Sequence, residues 1–295
     1  MTTLTDTAPA KINLSLHVGP PKPNGRHDLI SLVTFADEFA ADTLTARPAA
    51  HFSLAVDGPY AEASGPARDN LVLQAARAMD EALDGSAPKL AFRLDKQLPC
   101  TAGIGGGSSD AGAALRLIAR AHGGETALEA AKAVAPILGG DVLACLIGAP
   151  GLMSGEGEVY EPMLGIPRLP AVLVNSGAAC PTGSVFSAYD DTAPAILPDH
   201  PEPPLKRILV ESFIDWLKEN TVNSLQTAAP RIAPSIHHIL NTLETVPDAR
   251  LIRMSGSGET CYALFEGIAQ AEHAANLISS MQPDWWVCAT ILGGG

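Results

Sequence analysis

Three groups of residues in this 295-residue chain could carry chemistry. The first is Pro99-Cys100-Thr101-Ala102-Gly103-Ile104-Gly105-Gly106-Gly107-Ser108-Ser109-Asp110, with four glycines in five positions. Glycine lets a backbone turn sharply and approach a ligand closely. Ser108, Ser109 and Asp110 are N-cap residue types, and Ala111, Ala114, Leu115, Ile118 and Ala121 recur at helical spacing before Gly123-Gly124. A glycine loop entering a helix N-terminus offers unpaired N–H groups and partial positive charge, which suit phosphate. Gly106 is expected at a positive φ close to that phosphate. The second group is Lys11 with Asn13, and the third is Asp141 after Gly139-Gly140. A lysine can counter developing charge, and an aspartate can take a proton. Each also has a plain reading: a turn that caps a core helix, a solvated edge-strand lysine, an N-cap aspartate.

The loop has no lysine after its glycines and no G-x-G-x-x-G spacing, which excludes the Walker A and dinucleotide fingerprints. Gly107-Ser108-Ser109-Asp110-Ala111 is a near miss to a nucleophile elbow, but no clear histidine and acid accompany Ser109. The formal net charge of −13 without a basic stripe argues against nucleic acid. Five scattered cysteines with no C-x-x-C pair point to a reduced setting, not a disulfide framework. Met1 to Pro9 lacks a signal-peptide pattern, and no apolar run reaches membrane-spanning length. A cytoplasmic protein with a small-molecule partner is expected, and the oligomeric state is left open.

The elements that must position these residues can be read in order. Residues 10–18 alternate, Ile12, Leu14, Leu16 and Val18 against Lys11, Asn13, Ser15 and His17, as a half-buried strand. Residues 29–35 read as a strand, and 44–56 as paired strands around Pro48. A helix capped by Asp69 runs to Gly85, and a strand at 89–98 leads into the glycine loop. Thr126 to Glu129 has the form of a capping box for a helix to Leu138. Residues 162–170 read as a linker and 171–175 as a strand. Helical patterns follow at 205–219, 223–228 and 234–244. Strands are expected at 250–254, 260–265 and 285–292, with a helix at 270–281 and a tight loop at Ser255-Gly256-Ser257-Gly258.

Pro99 to Ala114 resembles the phosphate loop of the GHMP kinases, the galactokinase, homoserine, mevalonate and phosphomevalonate kinase superfamily. Further blocks resemble the family in order. Pro9-Ala10-Lys11-Ile12-Asn13-Leu14 is similar to its opening motif. Gly25-Arg26-His27 matches a segment whose aromatic and histidine hold a cytosine, with Arg26 standing where the aromatic is usual. Asp69-Asn70-Leu71 matches a segment close to the adenine. Leu138 to Val142 carries the aspartate, with Leu143 replacing a usual proline. Pro181 to Phe186 matches a substrate-contacting motif, and Ser255 to Thr260 the third motif, with Glu259 in place of a small residue.

The resemblance implies an α+β two-domain GHMP kinase fold. An N-terminal ATP-binding α/β domain spans 1–165 and a C-terminal ferredoxin-like domain spans 166–295. It implies ATP and Mg²⁺, and the triple glycine points to the branch that phosphorylates the 2-hydroxyl of a diphosphocytidyl-linked methylerythritol on the non-mevalonate route to isoprenoids. Lys11 and Asp141 are the implied catalytic pair, Asp141 as base. Asn70, Lys96, Pro99, Gly103, Ile104, Gly105, Gly106, Gly107, Ser108 and Ser109 are implied at ATP. Asn13, Arg26, His27, Thr182 and Phe186 are implied at the acceptor. There Arg26 and Phe186 are expected to cover the two faces of the base and His27 its edge. Metal ligands are not identified, with Ser108 one candidate. Glu259 is expected to bring negative charge close to the phosphates. Another GHMP kinase would need no cytosine site, and a non-enzymatic nucleotide-binding module would lack the Lys11 and Asp141 pair.

Overall fold

A computed structural model describes residues 3–293 except 195, 198, 206 and 207. In chain order, strands β1 (Leu4–Pro9), β2 (Lys11–Asn13), β3 (His17–Pro21), β4 (His27–Phe35), β5 (Ala41–Pro48) and β6 (Ser53–Asp57) come first. Helix α1 (Leu71–Ala82), strand β7 (Leu90–Asp95) and helices α2 (Gly106–His122), α3 (Glu125–Leu138) and α4 (Val142–Ile147) follow. Then come β8 (Gly151–Ser154), β9 (Val159–Pro162), β10 (Leu169–Asn175) and helices α5 (Thr182–Asp190), α6 (Val210–Asn220), α7 (Ala229–Ile232) and α8 (Ser235–Glu244). The described chain closes with β11 (Leu251–Met254), β12 (Cys261–Leu264), α9 (Ile268–Met281) and β13 (Trp286–Leu292).

These elements form two compact units that interleave along the chain. One takes Met1–Ala10, Ala41–Cys100 and Gly105–Gly148; the other takes Lys11–Ala40, Thr101–Ile104 and Ala149–Gly295. The sequence expectation, by contrast, divides the chain once, between 165 and 166.

The first unit holds a four-stranded sheet in the order β1-β5-β7-β6, with β6 parallel to β7. Strands β5 and β6 are therefore not partners around Pro48, as their spacing predicts, because β7 inserts between them. Helices α1 to α4 bury their apolar stripes in one core with this sheet, including Leu44, Met79, Leu94, Leu115 and Ile118. Removing such side chains from water is the main stabilising term, about 25 cal/mol per Å² of apolar surface. Asn70, not Asp69, caps α1: its Oδ1 accepts from the Val72 N–H at 3.0 Å. The Thr126 capping box is absent, since the N-cap of α3 is Gly124, two residues earlier.

The second unit holds an antiparallel sheet in the order β11-β12-β10-β13, with the connections β10-helices-β11-β12-α9-β13. That is the ferredoxin-like arrangement expected of the C-terminal part. Its other sheet is β2-β4-β8-β9, with β3 also paired to β4. The expected helix at 223–228 does not form. Asn223 instead donates to the carbonyls of Met254 and Gly256 at 2.7 and 2.8 Å, which ties it to a loop.

Residues 10–18 depart furthest from their pattern. They make two short strands, because Leu16 leaves the ladder: its N–H donates to Val222 O, and its carbonyl accepts from the Ser224 N–H. Both faces are covered, so Lys11, Asn13, Ser15 and His17 are all buried. Arg253 lies buried in the same unit without a carboxylate partner in its hydrogen bonds. It donates to the Leu14, Leu217 and Thr221 carbonyls and to the Thr221 hydroxyl. Ser15 Oγ lies 2.8 Å from His200 Nε2, and the His17 and His200 rings are 5.2 Å apart. Burial first, then His200 and Arg253, push the His17 pKa down from 6.5 to about 4.

This shift has a signed consequence. Above pH 6.5 His17 is neutral whether folded or unfolded; below it the unfolded chain takes a proton that the folded chain refuses. Stability is expected to fall as pH drops from 6.5 toward 4. The fall attributable to this residue is up to roughly 3 kcal/mol, at about 1.4 kcal/mol per pKa unit. Urea unfolding of wild type and His17→Gln across that range measures it. Equal slopes in the two proteins would show that His17 does not carry the effect.

Candidate active site

Helix α2 begins where the glycine loop ends. Its N-cap is Gly105, at φ 61° in the left-handed region, and the Ser109 N–H closes the first helical bond to the Gly105 carbonyl at 2.8 Å. Ser108, Ser109 and Asp110 thus lie inside the helix, past its N-cap. Gly106 is the first helical residue, so the positive φ values belong to Gly103 and Gly105 instead. The N–H groups of Gly106, Gly107 and Ser108 head the helix without helical acceptors.

Two of the expected nucleotide ligands are turned inward. Ser109 is buried; its hydroxyl donates to the Pro9 carbonyl at 2.6 Å and lies 3.3 Å from Cys145 Sγ. A hydroxyl held this way is no nucleophile, which removes the hydrolase alternative. Lys96 is buried and donates to Asp42 Oδ2 at 2.5 Å and Asp110 Oδ2 at 2.8 Å. Burial works against its charge, but Asp110 and Asp42 outweigh it and hold its pKa above the usual lysine value. Burial likewise pushes Asp110 up, against the pull of Lys96. Asp42 also accepts from the Gln97 and Leu98 N–H groups, so this cluster braces the strand end before the loop. A Cβ on Gly106 would stand 3.1 Å from Lys96 Nζ, which places the ammonium directly behind the helix start. Pro99 is buried at the entry to the loop, and Asn70 uses its Oδ1 as the α1 cap.

Asp141 stands at the N-cap position of α4, yet its side chain makes no cap bond. The plain reading of this aspartate therefore fails. Leu143, where the family has proline, simply packs against the core of the first unit.

In the second unit, Gly103 lies at φ 71° with its carbonyl accepting from Ser255 Oγ at 3.1 Å. A Cβ there would fall on the Gly258 carbonyl oxygen and 2.7 Å from that of Ser255. Ile104 is fully buried, and its carbonyl accepts from the Lys11 N–H at 2.8 Å. Asn13 donates through Nδ2 to Ser31 Oγ at 2.7 Å and through its backbone to Ser255 Oγ at 3.2 Å. Its Oδ1 is buried without a partner, an open acceptor of the kind that a ligand donor satisfies.

His27 and Phe186 come together, with ring centroids 4.9 Å apart. Thr182, one helical turn from Phe186 on the same face, has its hydroxyl 2.9 Å from Ser257 Oγ. Arg26 does not take the place of the missing aromatic. Its side chain is 72% exposed and donates to Glu156 Oε2 at 3.0 Å; Lys22 and Asn24 hold the other oxygen. Those donors, Lys22 foremost, hold the Glu156 carboxyl well below its usual range, at about 2. Glu259 also behaves differently from expectation. Its carboxylate is fully buried and accepts from the Ser176 hydroxyl. Sequence reasoning missed Asp190, whose Oδ1 lies 2.7 Å from His27 Nε2. The spacing Thr182, Phe186, Asp190 was the available signal, since steps of four share a helix face.

Residues 70–149 match the family described as GHMP kinases N terminal domain. The chain is 48% identical over 98% of its length, and 97% of the relative's, to a 4-diphosphocytidyl-2-C-methyl-D-erythritol kinase of Hyphomonas neptunium. The chain belongs to this kinase family. A 4-diphosphocytidyl-2-C-methyl-D-erythritol kinase of Methylorubrum extorquens is 44% identical over 99% of this chain and 100% of its own. A crystal structure of a 4-(cytidine 5'-diphospho)-2C-methyl-D-erythritol kinase superposes with TM-score 0.80 at 31% identity, covering 99% of this chain and 100% of that one. A crystal structure of L. major mevalonate kinase shares the fold, with TM-score 0.62 at 14% identity over 99% of this chain and 96% of its own. No helix among the described residues of this family member is long and apolar enough to cross a membrane.

Proposed function

We propose that this chain transfers the γ-phosphoryl group of ATP to the 2-hydroxyl of 4-diphosphocytidyl-2-C-methyl-D-erythritol, a step of the non-mevalonate route to isoprenoids, in the cytoplasm. The observation that carries the reading is near-full-length identity of 48% to a kinase of that name. Phosphoryl transfer is mostly positioning and charge stabilisation. The backbone of Gly103 to Ser109 cradles the triphosphate, the free N–H groups at the head of α2 doing most of it. Asn70 and Pro99 flank the nucleotide. Lys96 acts from behind, holding the helix start through Asp110. Asp141 takes the proton of the attacking hydroxyl, and Lys11 counters the charge that develops there. Asn13 offers its open Oδ1 to an acceptor hydroxyl. His27, Phe186 and Thr182 receive the cytidyl end, and Arg26 stays on Glu156. The sequence domains 1–165 and 166–295 carry the nucleotide and ferredoxin-like parts of this activity.

Among the described residues no cluster of three or more His, Cys, Asp or Glu side chains could hold a metal ion. Asp110 is already engaged by Lys96. Mg²⁺ therefore fits only as an ion carried largely by phosphate oxygens and water, with Ser108 as a side-chain ligand. Bound so, it would neutralise phosphate charge.

A coupled assay of ADP release tests the reading with a panel of acceptors. Turnover is expected with the diphosphocytidyl acceptor and not with mevalonate or homoserine. Turnover of mevalonate in its place would overturn it.

A further inference from the structure

We propose that Asp190 sets the base specificity of the acceptor site by fixing the tautomer of His27. The inference rests on the reading that His27 meets the pyrimidine. Asp190 ends helix α5, on the same face as Phe186 and Thr182. The His27 side chain is 5% exposed, and its Nε2 lies 2.7 Å from Asp190 Oδ1. Phe186 packs against the same ring, so the imidazole is held in plane and in rotation. A carboxylate can only accept, so the hydrogen must sit on Nε2. In the neutral ring Nδ1 then carries a lone pair. Nε2 is the ring nitrogen that faces Asp190, which leaves Nδ1 as the nitrogen available to a ligand.

A fixed acceptor reads one feature of a pyrimidine. Cytosine presents an exocyclic amine, which donates to Nδ1. Uracil presents a carbonyl oxygen at the same position, and two lone pairs then face each other in a site with little water. An unpaired polar group on each side makes that contact costly, which is how hydrogen-bonded sites reject near-isosteres. Without Asp190 the imidazole is free to move its hydrogen to Nδ1, and a donor there accommodates uracil as well. Asp190 touches no substrate atom in this scheme. It is a positioning residue that acts through His27.

The test compares cytidine and uridine forms of the diphospho-methylerythritol acceptor. In wild type the cytidyl form is expected to have the higher kcat/KM by about tenfold or more, the worth of one well-placed hydrogen bond. In Asp190→Ala the cytidyl value should fall by about tenfold, carried by KM, while the uridyl value holds or rises. Asp190→Asn, which keeps the shape, guards against a fold defect and should narrow the ratio in the same direction. The ¹⁵N spectrum of His27 in wild type gives a readout independent of turnover, with the hydrogen on Nε2. An equal loss on both acceptors, or a hydrogen on Nδ1 in wild type, would overturn this inference and leave the kinase reading intact. A wild type inactive on both acceptors would overturn the kinase reading and this inference together.

Discussion

Asp141→Asn should bind ATP and the diphosphocytidyl acceptor with near wild-type affinity and lose most of its turnover. The amide is nearly isosteric with the carboxylate but cannot take the hydroxyl proton. A positioned general base contributes on the order of 10²–10⁴-fold, and the loss of kcat should fall in that range. The structure sharpens the test because the Asp141 side chain makes no cap bond to α4. A capping aspartate would instead show its loss in stability, about 1 kcal/mol on removal of the cap. The measurements are kcat by the coupled assay, ligand affinity by calorimetry and the urea midpoint. Turnover within a few-fold of wild type would refute the base assignment. Lys11→Met should also lose turnover, and the double variant should cost less than the sum if the pair acts as one unit.

Gly103→Ala is expected to be the most damaging single-methyl substitution in the loop. Its φ of 71° lies where an alanine costs about 1–2 kcal/mol. The new Cβ would also meet the Gly258 and Ser255 carbonyl oxygens. Those are backbone atoms, and overpacking of this kind adds roughly 1–3 kcal/mol. Destabilisation of about 2–5 kcal/mol by urea unfolding, with weakened ATP binding, should follow. Gly106→Ala is the control. It is helical, and its Cβ would meet side-chain atoms and no backbone, Nζ of Lys96 at 3.1 Å and Leu98 at ordinary contact distance. Its effect on stability should be much smaller. If the two variants unfolded at the same urea concentration, the close backbone packing at Gly103 would not hold in solution.

Much of this was legible in the residues, and what was not has physical causes. The glycine loop announces a helix start because glycine density and helical spacing are both local. His27 and Phe186 were legible only through their motifs, since no local rule joins residues so distant in sequence. Alternation in residues 10–18 shows that one face is apolar; it cannot show that the polar face is covered too. Only burial of Lys11, Asn13, Ser15 and His17 by other elements reveals that. The Lys96 cluster depends on Asp42, 54 positions away, so a lysine flanking a phosphate loop reads as a ligand until its partners are seen. Glu259 looks like a charge facing phosphate because the loop around it is a phosphate motif. Ser176, from the turn after β10, turns it inward. Arg26 follows the same logic: its partner Glu156 sits on the β8–β9 turn, 130 positions away.

The interleaving of the two units has a consequence for how the chain is made. Residues 11–40 leave the ribosome early, yet Leu16 finds its backbone partners at Val222 and Ser224. The second unit therefore cannot close until most of the polypeptide has been synthesised, and the backbone of Leu16, between β2 and β3, must wait for its partners. Pairings this distant in sequence are slow to form, and chains that wait partly folded are prone to aggregate. A gene cut between codons 165 and 166 would leave β2, β3, β4, β8 and β9 on one fragment and the backbone partners of Leu16, Val222 and Ser224, on the other. Co-expressed halves of this chain would need to find each other before Leu16 could make its backbone bonds to Val222 and Ser224.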